Sequence, residues 1–312
     1  MAQLPPDTIP RIGSRGSPLA LAQAREVQRR LAAATGFDAA RIAIKSIRTT
    51  GDNIQDRPLA QAGGKGLFTK EIEEALLSGV IDLAVHSAKD VPTVLPEGLV
   101  LAAFLPREDA RDAFISPRAR TLRELPAGAL VGTASLRRQA LVRRLRPEVA
   151  VATLRGNVET RLRKLAAGEV DATILAVAGL KRLGLFAAAT AVLDIDQFLP
   201  AVGQGAICIE TRADDANARA LAAMVDDADT AVALTAERAF LAVLDGTCRT
   251  PIGGHARLTG GRLRFRGMII EPDGSAAFEV LREGPGEKAS ELGAAAGREL
   301  LDRAGAAFFA RI

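Results

Sequence analysis

The chain has 312 residues, 48% of them hydrophobic and 25% charged, with a formal net charge of +4 at pH 7. That length exceeds one comfortable core, so two or three domains are expected, and the composition excludes a disordered chain. No apolar run approaches the ~20 residues of a spanning helix, and the start MAQLPPDTIPRIGS lacks the apolar stretch of a secretory signal, so a cytoplasmic protein without a membrane partner is expected.

Taken in chain order, IGSRGSPLALAQA (12–24) reads as a strand, a turn of small residues and a helix. GGKGLFTKEIEEAL (63–76) follows, a Gly-rich segment with Lys65 and Phe68 that turns into a helix; it lacks the spacing of a phosphate-binding P-loop. SGVIDLAV (78–85) is a Gly turn and a buried strand, at whose end HSAKD concentrates His86, Ser87, Lys89 and Asp90. LPREDARDAFISP (105–117) reads as a crossing to a second domain, with Pro106 and Pro117 interrupting regular structure.

There VGTASLRRQALV (131–142) repeats the opening strand-turn-helix, and GEVDATILAV (168–177) repeats the Gly turn and buried strand. The recurrence predicts two similar α/β domains with largely parallel sheets covered on both faces. Near LPAVGQGAICIE (199–210) the chain returns to the first domain. ALTAERAFLAVL opens a helix, HARLTGGRLRFRGMIIEPDG alternates as antiparallel strands with GG and DG turns, and ELGAAAGRELLDRAGA closes as a helix, a smaller α+β domain. The boundaries expected are 1–105 with the return segment 203–224, then 106–202, then 225–312.

Strand-to-helix turns rich in Gly and Ser aim backbone N–H groups and the positive helix end at one place, which suits anions. In α/β sheets ligands sit past the carboxyl ends of the strands, so two such domains around a cleft would hold an anion from both sides. Arg15, Arg137, Arg138, Arg155, Arg161 and Arg182 fall at or near such turns, and a guanidinium fork matches a carboxylate. Asp90 beside Lys89 has the setting of an ionised carboxylate that accepts N–H bonds and stabilises a cation, or of an ordinary solvated turn. Two cysteines and two histidines exclude a disulfide framework and a Cys-rich zinc site. Cys208 lies in an apolar strand and reads as packing; Cys248, in the loop DGTCRTPIGG beside Arg249, reads as a nucleophile, an attachment point or an ordinary loop cysteine.

The acid-free basic run Arg137, Arg138, Arg143, Arg144, Arg146 reads as a solvated helix face or, less well, a nucleic-acid contact; no Trp, no Tyr and 4% aromatic residues leave little for base stacking. A non-catalytic solute-binding or effector-sensing module is a further reading of paired domains around an anion cleft.

The strings RGSPLALAQ, GGKGLF, HSAKDVPT, GTASLRR, LRGNVETRL, LAVAGLKRLG, LPAVGQGAI and GTCRTPIGG occur in this order. Together they closely resemble the hydroxymethylbilane synthase, or porphobilinogen deaminase, family from about Arg11 to Gly254. The resemblance implies two periplasmic-binding-protein-like α/β domains plus the smaller third one, and a monomeric transferase of heme and tetrapyrrole synthesis. It implies condensation of four porphobilinogen molecules, with release of ammonia, into linear hydroxymethylbilane, without a metal or nucleic acid. A dipyrromethane primer would be held by a thioether to Cys248, and Asp90 would be the catalytic group. Lys89, Thr133, Ser135, Arg137, Arg138 and Arg161 would bind the primer, Arg161 standing also among the residues that receive the incoming pyrrole or growing chain. Arg15, Ser17, Arg155, Arg182 and Gln204 would do the latter, and Lys65 and Phe68 would belong to a mobile loop. Ala88, Ala134 and Thr247 depart from the residues usual at their positions, which touches details of primer contact.

Overall fold

The computed structural model describes residues 9–53, 66, 68–244 and 251–309. It divides into two compact units, Met1–Glu108 with Ala206–Ala231, and Asp109–Gly205 with Val232–Ile312.

The first unit runs β1 (Ile12–Arg15), α1 (Pro18–Thr35), β2 (Ile44–Ile47), a short α2 (Thr50–Asn53), α3 (Lys70–Leu77), β3 (Leu83–Ser87) and β4 (Leu99–Phe104). The second continues with β5 (Asp112–Ile115), β6 (Leu130–Gly132), α4 (Leu136–Leu145), β7 (Ala150–Ala152), α5 (Val158–Ala166), β8 (Ala172–Ala176), α6 (Val177–Arg182) and β9 (Ala191–Val192). The chain then re-enters the first unit as β10 (Ile207–Arg212) and α7 (Ala216–Ala223), and α8 (Ala228–Leu244) leads to β11 (Ile252–Thr259), β12 (Arg262–Ile270), β13 (Ala277–Pro285) and α9 (Ala289–Phe309).

The sheet orders are β2-β1-β3-β10-β4 in the first unit and β7-β6-β8-β5-β9 in the second. In each, three strands are parallel and the fourth position is antiparallel to both neighbours, β10 in one and β5 in the other. The two antiparallel strands are the segments that follow a passage from one unit to the other. The internal repeat is therefore real at the level of topology: β1–α1 corresponds to β6–α4, and β3 to β8. Even a glycine is shared, since Gly13 pairs with Ala84 and Gly132 with Thr173. A Cβ at Gly132 would stand 2.9 Å from Leu154 and Val170, and one at Gly13 would stand 2.2 Å from Ile81, so these side chains close directly on the strand. The expectation of parallel strands needs correction at β5 and β10, which are antiparallel to their neighbours. A strand covered on both faces carries the same apolar signal in either direction.

Both sheets are covered on both faces. In the first unit Ile12, Leu83, Val85, Ile207 and Ile209 pack on Ala24, Val27 and Leu31 of α1 and Leu221 of α7. The opposite face, at Ala84, meets Ile72 and Leu76 of α3. In the second unit Val131 and Ile174 pack with Leu141 of α4 and with Met268 and Ile270 of β12, so the three-stranded sheet shares that core. That third sheet is an antiparallel meander whose first hairpin turns at Gly260 and Gly261, with φ of 56° and 75°, the left-handed conformation a two-residue hairpin needs.

The basic run of α4 is not a solvated face at Arg143 and Arg146, which bond within the chain. Arg143 Nη1 donates to the carbonyl of Pro272 at 2.6 Å. Arg146 donates to the carbonyls of Leu122 and Leu125 at 2.7 and 2.5 Å and pairs with Glu148 at 2.6 Å. These guanidiniums fasten loops to α4.

Candidate active site

In the first unit, the turn between β1 and α1 places Arg15 at the strand end and Ser17 at the helix N-cap. The Ser17 hydroxyl accepts the Ala20 amide at 3.3 Å, and Pro18, which has no N–H to satisfy, starts the helix. β3 ends beside this turn and passes into a 3-10 turn, Ala88–Asp90, whose Ala88 amide donates to the carbonyl of Ala206 at 3.0 Å. Lys89 and Asp90 are exposed there, while Ala88 is buried. A recess opens between these elements, with Arg15, Ser17, Phe68 and Asp90 on its wall. The Arg15 guanidinium lies over the Phe68 ring at 4.1 Å from its centroid, a contact that desolvates and orients the cation.

Three further wall residues were not assigned by sequence reasoning. Gln23 of α1 is buried, and its amide and the Ser87 hydroxyl bond to each other at 2.8 and 3.2 Å. His86 is buried and bonds Glu210 of β10 at 3.2 Å. His86 and Ser87 stand in the HSAKD string, so their polar character was visible. Gln23 and Glu210 gave no signal, because one lies inside a helix and the other inside a strand that opens apolar.

The second unit builds a different structure on Asp112, the first residue of β5. Asp112 is fully buried and accepts from Arg137 Nη2 at 2.7 Å, Arg138 Nη2 at 2.7 Å and Gln204 Nε2 at 2.9 Å. Both arginines are buried as well, and their Nη1 atoms reach the carbonyls of Leu199 at 2.7 Å and Ile174 at 2.9 Å. Burial alone would push the Asp112 carboxyl up; the two guanidiniums overcome this and hold it well below the usual carboxylate range. Two cations and one anion leave one positive charge in the interior. Arg137 Nε is buried without a hydrogen-bond partner among the described residues. A surplus charge and an unmet donor are what a carboxylate-bearing group such as dipyrromethane would satisfy, so these residues fit that cofactor.

Around the hub, the Thr133 hydroxyl accepts the Ser135 amide at 3.2 Å and the Ser135 hydroxyl, at the N-cap of α4, accepts the Arg138 amide at 3.4 Å. Arg155 is half-buried just before α5, and Arg161 Nε donates to the carbonyl of Gly156 at 2.8 Å, bracing the turn. Arg182 Nη2 donates to the carbonyl of Gly205 at 3.0 Å. The structure thus gathers Arg15, Ser17, Phe68 and Asp90 at one recess, and Arg137, Arg138 and Gln204 on one carboxylate. Lys65 and Cys248 lie outside the described residues. Asp112 went unread, although an acid opening the apolar run DAFI was the available sign.

Among the described residues no group of His, Cys, Asp and Glu could hold a metal ion, and no helix is long and apolar enough to cross a membrane. Solved ligand-binding proteins are loosely similar. The methionine-binding protein MetQ shares 15% identity at a TM-score of 0.43, covering 69% of this chain and 89% of that one, and a periplasmic substrate-binding protein of Coxiella burnetii shares 15% at 0.43, covering 69% and 91%. Sequence relatives are far nearer. A porphobilinogen deaminase of Nitrobacter hamburgensis is 65% identical over 97% of this chain and 96% of its own, and that of Nitrobacter winogradskyi is 64% identical over the same shares. Residues 10–220 match the family model "Porphobilinogen deaminase, dipyromethane cofactor binding domain" and 231–302 match "Porphobilinogen deaminase, C-terminal domain". The chain belongs to the porphobilinogen deaminase family.

Proposed function

We propose that this chain condenses four porphobilinogen molecules head to tail into hydroxymethylbilane, releasing one ammonia per addition, with Asp90 as the group that moves the protons. The observation that carries the reading is the placement of Asp90 at a strand end on the same recess as Arg15 and Ser17. Porphobilinogen brings an aminomethyl group, a pyrrole N–H and two carboxylates to such a wall. Asp90 accepts the pyrrole N–H when ionised and offsets positive charge developing at the adjacent carbon; when protonated it delivers a proton to the leaving amine. Arg15 and the Ser17 turn receive a carboxylate, with Phe68 holding the guanidinium in place.

Dipyrromethane supplies, when bound, a primer with a free α carbon on which the chain is extended. Cys248 is proposed as its thioether anchor, and Lys89, Thr133, Ser135, Arg137, Arg138 and Arg161 as the groups around its carboxylates. The buried surplus charge beside Asp112 supports this for the arginine pair. Arg155 and Arg182 are proposed to receive the incoming pyrrole. The Gln204 amide reaches Ala110 and Asp112, which favours bracing the arginine pair over meeting substrate directly. Lys65 and Phe68 are proposed as parts of one mobile loop over the recess. The division into 1–105 with 203–224, 106–202 and 225–312 is proposed as three domains, each having one sheet. A monomer in the cytoplasm, without a membrane or nucleic-acid partner, completes the reading.

Intact mass of the purified chain tests cofactor and cysteine together. The expected result is the polypeptide plus two pyrrole units, lost in Cys248→Ala. A bare polypeptide after incubation with porphobilinogen, with no ammonia released, would overturn the reading.

A further inference from the structure

A buried polar cluster lies behind the recess and has no part in the mechanism above. Alternate residues of a strand share a face, so His86 points to the same side of β3 as Ala84, which packs against Ile72 and Leu76 of α3. On β10, His86 pairs in register with Cys208, and Glu210, two positions further on that face, bonds the ring through Nε2 at 3.2 Å. The register of β10 against β4 shifts between Ile209 and Glu210. Irregularities of this kind re-aim a side chain and recur beside active sites. Glu73, in the first turn of α3, is buried near the same two groups.

One oxygen of Glu73 and one of Glu210 are buried with no hydrogen-bond partner among the described residues. Two carboxyls and an imidazole cannot all be charged at low cost in such a place. Burial pushes the Glu73 carboxyl up, with the Thr69 hydroxyl opposing and Glu210 reinforcing. The cluster is not sealed in the core, because His86 also lines the recess that Asp90 faces.

Each addition moves one proton both ways. The C–N bond of the aminomethyl group breaks and its nitrogen leaves as ammonia after gaining a proton. A C–C bond forms at the chain's free pyrrole carbon, and that carbon's C–H bond breaks and releases a proton. At that moment Asp90 is a carboxylate already engaged by pyrrole N–H groups, so a second acceptor on the wall is of use.

Resting on the function proposed above, we infer that His86 is a further catalytic residue of the recess, taking the carbon's proton at Nδ1 and returning it to Asp90, with Glu210 as its positioning residue. By accepting from Nε2–H, Glu210 selects the ring form whose Nδ1 is the acceptor. The proton leaving carbon equals the one the next amine needs, and no other reactant is required. The charged groups that meet His86 among the described residues are Glu73 from α3 and Glu210 from β10, and Arg15 at the end of β1 and Asp90 past its own strand share the recess wall with it.

The test is His86→Gln, whose amide still donates to Glu210 but cannot exchange a proton. The variant is expected to keep the primer by intact mass and KM within about twofold, while kcat falls about 10²-fold and its pH profile changes shape. With only two histidines in the chain, nitrogen-15 spectra of the parent resolve the His86 ring, and should show Nε2 protonated and Nδ1 bare at the assay pH, a preference lost in Glu210→Gln. An H86Q enzyme with parental kcat and pH profile, or a parent ring protonated at Nδ1 alone, overturns the inference; the second readout decides even if H86Q fails to fold. A parent with bare mass and no ammonia release takes down the function and this role together, whereas an active parent with an unaffected H86Q takes down the role of His86 alone.

Discussion

The recess of the first unit and the arginine hub of the second are built from matching pieces of topology, a strand end and the turn into a helix, yet they treat charge in opposite ways. Asp90 is exposed, and the ionisable groups behind it are buried and only partly hydrogen-bonded. Arg137 and Arg138 are buried and held by a carboxylate and two carbonyls. A group that must gain and lose protons needs access and a modest barrier between its two states. A group that must only hold an anion gains from having its desolvation met during folding, before any ligand arrives. The comparison separates the place proposed for chemistry from the place proposed for holding.

Exchanging the decisive carboxylate on each side should therefore fail differently. The largest effect is expected from Asp90→Asn: turnover falls by about 10²–10⁴-fold, because a neutral amide neither relays a proton nor offsets a cation, while intact mass shows the primer still attached. Parental kcat in this variant would remove Asp90 from the chemistry. Asp112→Asn should act on stability instead, by about 3–5 kcal/mol in denaturant unfolding, since it leaves two guanidiniums buried without their counter-ion. Its pH dependence has a definite sign. A carboxyl whose folded pKa is depressed contributes stability above the ordinary carboxylate range and loses it as pH falls through the folded value. The gap between parent and Asp112→Asn should then narrow as pH drops below about 4.

A smaller loss, about 1 kcal/mol, is expected from Ser17→Ala, which removes the N-cap acceptor of α1 and leaves the Ala20 amide unmet. The smallest effect has the opposite direction. Glu73 has a raised pKa, so its ionised form costs stability above its ordinary range, and Glu73→Gln should raise the melting temperature at pH 8 while changing little at pH 4. No pH dependence in that difference would show that Glu73 is not a buried acid in the folded chain.

Several particulars show how far reading the chain could go. The repeat of IGSRGSPLALAQA in VGTASLRRQALV predicted two like units, and the strand orders bear it out. The GG turn in HARLTGGRL placed the third sheet's first hairpin, because glycine is what a turn of positive φ asks for. Arg143 and Arg146 were misread as surface, since a guanidinium bound to a distant carbonyl has the same local sequence as a solvated one.

What the sequence by itself determined was whatever is encoded in short range: the helix and strand periods, the Gly turns, and motifs specific enough to carry a family. What only the tertiary structure decided were the pairings across distance. Asp112 meets arginines 25 and 26 residues away, and His86 meets Glu210 across 124. Nothing within a few residues of a carboxylate tells whether it will be solvated or buried beside a cation; that depends on which strands become neighbours. Here both partnerships form at β5 and β10, the two strands that run antiparallel to their neighbours against the parallel reading of the apolar pattern.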